Sequence, residues 1–395
     1  MHRVPVAARA PQRDLERPAS QHLRREVRKL RMPLTWSAAF WCTHHSPTDG
    51  EGRTTVEFRR PIRTRSPSMK RAMVTRIADP ADGIEVIEVP EPTPGPGQIL
   101  VEMKARPIQP ADLLVVRDRH IVKPTLPDPV GIEGAGVVVA HGPGVSHPAI
   151  GTRVALPFGG TWSERVVMPA GVVIPLPPDC DWLQAAMLAL NPVTAWGLLD
   201  GLQAGQWLVH NAANSSLGQL ITRIAAARGI PNISVVRRPG MEAMLQGLGA
   251  DHVLVDGDDL GDRVKALTDS RGAHRALDAV AGPATGRLHD ATAEGGELVC
   301  YGLLGSNEIV LPAARTIFRD VSVRGYSRLR KIMSMAPEAR VAMQRELVAH
   351  FTAGLFHTPV RATFPLEQVS EAVVLSEERG ANGKVLLVNP ELMQS

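Results

Sequence analysis

From Met73 onward the chain alternates apolar and polar positions over short stretches: residues 84–89 alternate, a Pro- and Gly-rich segment at 90–97 turns, and residues 98–105 alternate again. Period-two runs bounded by such turns predict strands with one buried face. Residues 130–140 (VGIEGAGVVVA) and 151–156 (GTRVAL) continue the pattern, with glycines where a strand must bend or lie close to another backbone. The first part of the chain is therefore expected to form a small, bent β-barrel.

Beyond Asn191-Pro192 the period changes. Strand-like runs at 207–210, 233–236, 252–255, 276–280, 297–301 and 321–325 are separated by helical patterns such as 217–228, 241–248 and 260–267. That alternation predicts a parallel sheet with crossover helices. A helix at 336–353 and a strand at 385–388 follow. A lone strand needs a partner, so this tail is expected to return to the β-rich part. With 395 residues the chain exceeds one core. It reads as an α/β protein in four segments: a leader at 1–68, a β-rich domain at 69–190, a doubly wound parallel-sheet domain at 191–327, and a return to the β-rich domain at 328–395.

Composition changes this picture only at the leader. Residues 1–68 carry 14 Lys and Arg against 6 Asp and Glu, so the net charge of +4 comes from that segment and the rest of the chain is net acidic. The remainder shows no basic stripe interleaved with aromatics, which sets nucleic-acid binding aside. The leader has clustered arginines without a sustained period and reads as a disordered or over-extended start. Its six acids argue against a mitochondrial transit peptide, and Met69 or Met73 is the natural beginning of the folded part. No run approaches the roughly 20 apolar residues of a membrane span, and no signal-peptide pattern is present, so a cytoplasmic protein without membrane or nucleic-acid partners is expected. Cys42, Cys180 and Cys300 lie far apart, which excludes a Cys-rich zinc site and a disulfide framework.

Candidate chemistry begins at the turn after the first strand of the parallel sheet, His210-Asn211-Ala212-Ala213-Asn214-Ser215-Ser216-Leu217-Gly218-Gln219. In a dinucleotide-binding unit such a turn presents backbone N–H groups to a pyrophosphate at a helix N-terminus, with glycine where helix and sheet pack closely. Only Gly218 of the usual glycines is present, and the same residues also read as an ordinary helix cap with Asn214 or Ser215 at the N-cap. The second strand ends Val235-Val236-Arg237-Arg238. An NAD enzyme carries an acid there for the ribose 2′-hydroxyl, whereas arginine neutralises a 2′-phosphate, which points to NADPH.

The order of these features resembles the medium-chain dehydrogenase/reductase superfamily from about residue 73 onward. The residues that carry the resemblance are Val130-Gly131-x-Glu133-Gly134-x-Gly136, Asn191-Pro192-Val193-Thr194-Ala195-Trp196 and the turn above. The resemblance implies a GroES-like β-barrel catalytic domain, a Rossmann cofactor domain and a homodimer formed edge to edge near residues 321–325. Zinc-dependent members carry an early Cys and Gly-His-Glu. Here Ala111-Asp112 has no neighbouring Cys, Ile132 replaces the His, and the 13 histidines show no ligand cluster, so no catalytic metal is expected.

Within the zinc-free branch, the turn and Ser234-Val235-Val236-Arg237 are more similar to mitochondrial-type 2-enoyl thioester reductases than to quinone oxidoreductases. The resemblance puts Asn191, Thr194, Asn214, Ser215, Ser216, Leu217, Gly218, Arg237, Arg238, Tyr301, Gly302, Leu303, Leu304, Tyr326 and Lys384 at cofactor-contacting positions. Counting from Ile108-Gln109-Pro110-Ala111-Asp112, the family's catalytic tyrosine falls on His120. An imidazolium there could donate a proton, with Asp118 raising its pKa, or His120 could be a surface-loop residue. The implied activity is NADPH-dependent reduction of the C=C bond of an α,β-unsaturated carbonyl compound, with a trans-2-enoyl thioester, enoyl-CoA or enoyl-ACP, as the expected substrate. The alternatives are an NADPH:quinone or enone oxidoreductase and an NADPH-binding protein without turnover.

Overall fold

Three sheets organise the molecule in the computed structural model, which describes residues 67–120, 122–378 and 383–393, all within a unit spanning Arg65–Ser395. Residues 1–66, which hold Cys42 and all but the last two residues of the leader, lie outside the described residues. A small antiparallel sheet runs Ile84–Pro90, Ser68–Val74, Asp128–Pro129. A seven-stranded sheet runs Val360–Phe364, Lys384–Val388, Gln98–Pro107, Gly134–His141, Arg153–Leu156, Ile174–Pro175, with Arg165–Pro169 also paired to Gln98–Pro107. The terminal strand Lys384–Val388 thus pairs antiparallel with Gln98–Pro107, as its need for a partner required.

The third sheet is six-stranded and wholly parallel, in the order His252–Val255, Asn232–Val236, Leu208–His210, Ala273–Asp278, Thr292–Cys300, Ser322–Gly325. The order reverses between its first strand, Leu208–His210, and its fourth, Ala273–Asp278. In doubly wound sheets ligands bind beyond the carboxyl ends of the strands at that reversal. The helix Ser216–Ala227 follows the first strand and buries Leu220, Ile221, Ile224 and Ala225 against Leu208, Leu277 and Val299. Truncating such a buried leucine or isoleucine to alanine costs about 2–5 kcal/mol, so the start of this helix is held firmly on the sheet.

One expected strand is shorter than the apolar pattern implied. Residues 130–133 form a loop, and pairing begins at Gly134. Gly131 has φ +108°, and a Cβ on it would lie 2.5 Å from Thr161 Oγ1 and 2.6 Å from Trp162 Cδ1. The loop therefore turns inward against the fully buried Trp162, and it carries Glu133 into the interior.

Candidate functional site

At the sheet reversal the two strand ends are tied by side chains. Asn211 Nδ2 donates to Asp278 Oδ1 (2.6 Å), while Asn211 Oδ1 accepts from the Ala279 amide (2.7 Å). Asp278 Oδ1 also accepts from the amides of Val280 and Ala281, and Oδ2 from Thr285 Oγ1. Buried polar groups satisfied this completely hold a backbone in one arrangement. Above this floor, Ser215 is the N-cap of Ser216–Ala227 and accepts from the Gly218 amide (3.1 Å). The amides of Ser216 and Leu217 have no acceptor among the described residues. A Cβ at Gly218 would lie 2.4 Å from Ala212 O and 2.6 Å from Ala213 O, so glycine is required for the approach. Asn214 is exposed on the rim, and its carbonyl accepts from Gln219 Nε2.

Arg237 and Arg238 stand exposed just past the carboxyl end of Asn232–Val236, with no ion-pair partner among the described residues. The acid at the end of the neighbouring strand is taken: Asp256 holds Arg287 through Nε (2.8 Å) and Nη2 (2.5 Å). Amides without an acceptor at a helix start and two guanidinium groups without an ion-pair partner at the second strand, among the described residues, fit a phosphorylated dinucleotide.

The other expected cofactor positions are spread around this centre. Gly302 follows the fifth strand with its Cβ position 2.6 Å from Ala279 O, while Leu303 and Leu304 are exposed. Tyr301 Oη is buried without a partner, and burial raises its pKa above the ordinary tyrosine value. Thr194 donates its hydroxyl to Leu190 O (2.7 Å), within its own helix Asn191–Leu198. Tyr326 packs on that helix at Gly197, whose Cβ would lie 2.1 Å from Tyr326 Oη. The contact is six residues, or about 9 Å, from Asn191.

Lys384 leads into a buried polar cluster that the sequence reading did not select. Its Nζ donates to Gln109 Oε1 (2.6 Å), Gln109 Nε2 donates to Glu133 Oε1 (2.5 Å), and Glu133 Oε2 accepts from the Leu190 amide (2.8 Å), next to Asn191. Asp112 Oδ2 accepts from the Gln109 amide (2.9 Å). Gln109, Asp112 and Glu133 are all buried, and desolvation pushes the carboxyls up, to about 8 for Asp112 and about 7 for Glu133. Arg328 adds a second cation nearby, donating to Pro157 O and Ala189 O. The one local sign of this cluster was an acid, Glu133, inside an otherwise apolar run.

His120 corrects an expectation. Its backbone caps Leu114 O at the end of Pro110–Val116, and its Nδ1 accepts from the Val122 amide (3.1 Å). Burial lowers its pKa, and Lys123 lowers it further. Asp118 has φ +53° and pairs with Lys123 Nζ (3.0 Å), so its adjacency to His120 does not raise the imidazole. With Nδ1 accepting, the neutral ring carries its proton on Nε2. No group of three or more His, Cys, Asp or Glu among the described residues could hold a metal ion.

The family model for zinc-binding dehydrogenases matches residues 216–343, and that for the alcohol dehydrogenase GroES-like domain matches residues 95–178. A mitochondrial enoyl-[acyl-carrier-protein] reductase of Bos taurus is 30% identical over 332 residues, which are 81% of this chain and 89% of that protein. A solved structure from Bacillus thuringiensis, described as a "putative NADPH:quinone reductase", is 28% identical. It superposes with a TM-score of 0.77 over 82% of this chain and 100% of that one. A mycobacterial protein complexed with NADPH is 24% identical and shares the fold, with a TM-score of 0.73 over 81% of this chain and 100% of its own.

Proposed function

The chain belongs to the medium-chain dehydrogenase/reductase superfamily, and we propose that within it the protein uses NADPH to reduce the C=C bond of trans-2-enoyl thioesters, enoyl-CoA or enoyl-ACP. It is an oxidoreductase of the zinc-independent type and an enoyl or enone reductase using a nicotinamide dinucleotide. The observation that carries the finer reading is the likeness to the bovine enoyl reductase over 89% of that protein's length. Arg237 and Arg238, exposed and unpaired, support NADPH over NADH. The same proposal divides the chain into a catalytic part, 69–190 with 328–395, and a cofactor part, 191–327.

When bound, the dinucleotide would supply a hydride to the substrate β-carbon. The amides of Ser216 and Leu217, at the positive end of a 12-residue helix, would face its pyrophosphate. Arg237 and Arg238 would meet the 2′-phosphate. Asn191, Thr194, Asn214, Ser215, Gly218, Tyr301, Gly302, Leu303, Leu304, Tyr326 and Lys384 complete the proposed cofactor surface. Negative charge would then develop on the substrate carbonyl oxygen, where His120 is the proposed catalytic residue that meets it, and the α-carbon would take its proton from solvent water, which completes the addition of hydride and proton across the C=C bond. The neutral imidazole offers Nε2–H as a hydrogen-bond donor rather than a free proton, a role that is electrostatic and needs no raised pKa.

A second reading, a quinone or enone reductase, is favoured by the replacement of tyrosine by a histidine that burial keeps neutral, because a quinone needs no specialised proton donor at carbon. The test is NADPH oxidation by the purified protein with crotonyl- and longer enoyl-CoA in one series and quinones in another. Saturable turnover confined to the thioesters supports the proposal, and turnover confined to quinones replaces it with the second reading. Silence in both leaves NADPH binding without turnover.

The proposal also includes a homodimer. Among the described residues Ser322–Gly325 is the outer edge of the parallel sheet, and Ile317 and Phe318 just before it are 70% and 82% exposed. Such an edge and apolar surface are an aggregation hazard unless covered. No helix among the described residues is long and apolar enough to cross a membrane.

A further inference from the structure

The bonds from Lys384 to Gln109 to Glu133 run in one direction. A primary amide has one accepting and one donating end, so whatever fixes one end also fixes the other. Glu133 is fully buried, held by the Leu190 amide at Oε2, and its own carbonyl oxygen accepts from Thr161 Oγ1 (2.6 Å). An acceptor held this rigidly keeps the NH2 of Gln109 turned toward it (2.5 Å), which leaves Gln109 Oε1 facing the Lys384 ammonium. If the amide turned over, its NH2 would face the ammonium and its oxygen the carboxylate. With Glu133 ionised both contacts would then be repulsive, and with it protonated the contact to the ammonium still would be, so the amide has one stable orientation.

Lys384 stands where this orientation matters. It begins the strand Lys384–Val388, and its neighbour Gly383 shares a small crevice with Ser216 and Gln219 of the nucleotide helix. At the other end, the amide that Glu133 holds belongs to Leu190, the N-cap of the helix that begins at Asn191. One carboxylate therefore links both elements that border the proposed dinucleotide site.

We propose that Glu133 is a positioning residue for the dinucleotide: acting through the Gln109 amide, it fixes the place of the Lys384 ammonium and so sets how tightly the chain holds the anionic cofactor. The inference rests on the reading of Lys384 as a cofactor contact. The two donors meet different oxygens of Glu133, and Glu133→Gln turns one of those oxygens into an NH2, so either the Leu190 amide or the Gln109 NH2 loses its partner.

The test is NADPH binding followed by nicotinamide fluorescence for the wild type, Glu133→Gln, Lys384→Met and the double variant. The expected result is about tenfold weaker binding for Lys384→Met, three- to tenfold weaker for Glu133→Gln, and no further loss when Glu133→Gln is added to Lys384→Met. In turnover, Glu133→Gln should raise KM for NADPH while leaving KM for the carbonyl substrate unchanged, a split that general loosening of the fold would not give. Wild-type affinity in Glu133→Gln, or losses that add in the double variant, overturn the proposal while leaving Lys384 in the cofactor site. Wild-type affinity in Lys384→Met overturns the underlying reading as well. Should Glu133→Gln fail to fold, Gln109→Met severs the same link with Glu133 intact, and the same coupling to Lys384 is expected of it.

Discussion

Replacing Arg237 and Arg238 together by serine should abolish the preference for NADPH while sparing NADH. Both guanidinium groups are exposed and without an ion-pair partner among the described residues, and the neighbouring Asp256 is committed to Arg287. No hydrogen bond or ion pair among the described residues is lost on substitution, so stability should change by less than about 0.5 kcal/mol. A hydrogen bond to a charged group contributes about 1.5–3 kcal/mol, whereas an exposed ion pair contributes about 0–1 kcal/mol. Two exposed arginines sharing one 2′-phosphate fall between these limits, at about 2–3 kcal/mol together, or roughly 30- to 150-fold in affinity. Titration of nicotinamide fluorescence should show NADPH weakened by that factor and NADH unchanged within about twofold. Because the contacts are exposed, the wild-type preference should also shrink with added salt. Equal weakening of both dinucleotides, or of neither, would refute the assignment of these arginines to the 2′-phosphate.

Four further outcomes are expected. Gly218→Ala should weaken binding of either dinucleotide more than tenfold and destabilise the chain by about 1–3 kcal/mol, measured by fluorescence and thermal melting, because the new Cβ would meet two carbonyl oxygens. His120→Ala should lower kcat by about 100-fold with NADPH affinity unchanged, as loss of an oxyanion donor does; unchanged turnover would remove His120 from the mechanism. Asp112 and Glu133 have folded pKa values of about 8 and about 7, above their unfolded values near 4, so the folded chain holds protons that the unfolded chain releases. Their contribution to stability is full below about pH 4 and is lost as pH rises through 7 and 8. Urea midpoints should therefore drop between pH 6 and 9 by an equivalent of roughly 2–4 kcal/mol, and Asp112→Asn with Glu133→Gln should flatten that slope. Phe318→Glu should shift the proposed dimer to monomer in light scattering, and an unchanged mass would place the contact elsewhere.

The parallel sheet was readable from local pattern because each element there is decided by its own residues. Strand His252–Val255 and helix Leu260–Leu267 lie where apolar period and turn signals put them. The pattern misplaced boundaries that side chains set. The fourth strand was expected to reach residue 280 but ends at Asp278, whose carboxylate gathers the next backbone amides and turns the chain out of the sheet. The fifth strand begins at Thr292, well before the expected residue 297, because it continues through Gly295 and Gly296.

At the candidate site, the turn at 210–219, Gly218 and the two arginines stood out in the sequence because they lie within one strand–turn–helix–strand unit. The bonds that tie Gln109 to Glu133 and to Lys384 were not legible, although Lys384 itself was selected, since they join residues 24 and 275 positions apart. Glu133 looked anomalous in an apolar run, but only the fold supplies its partners. For His120 the electrostatics were not legible, because a left-handed Asp118 faces Lys123.

The most direct test of the central claim is a single turnover with NADPH carrying deuterium at nicotinamide C4 and crotonyl-CoA in deuterated and ordinary water, with the product read by mass and NMR. The account predicts butyryl-CoA with the cofactor's deuterium at the β-carbon and a solvent-derived hydrogen at the α-carbon. No saturated thioester, while the same protein reduces quinones with the same NADPH, would contradict it.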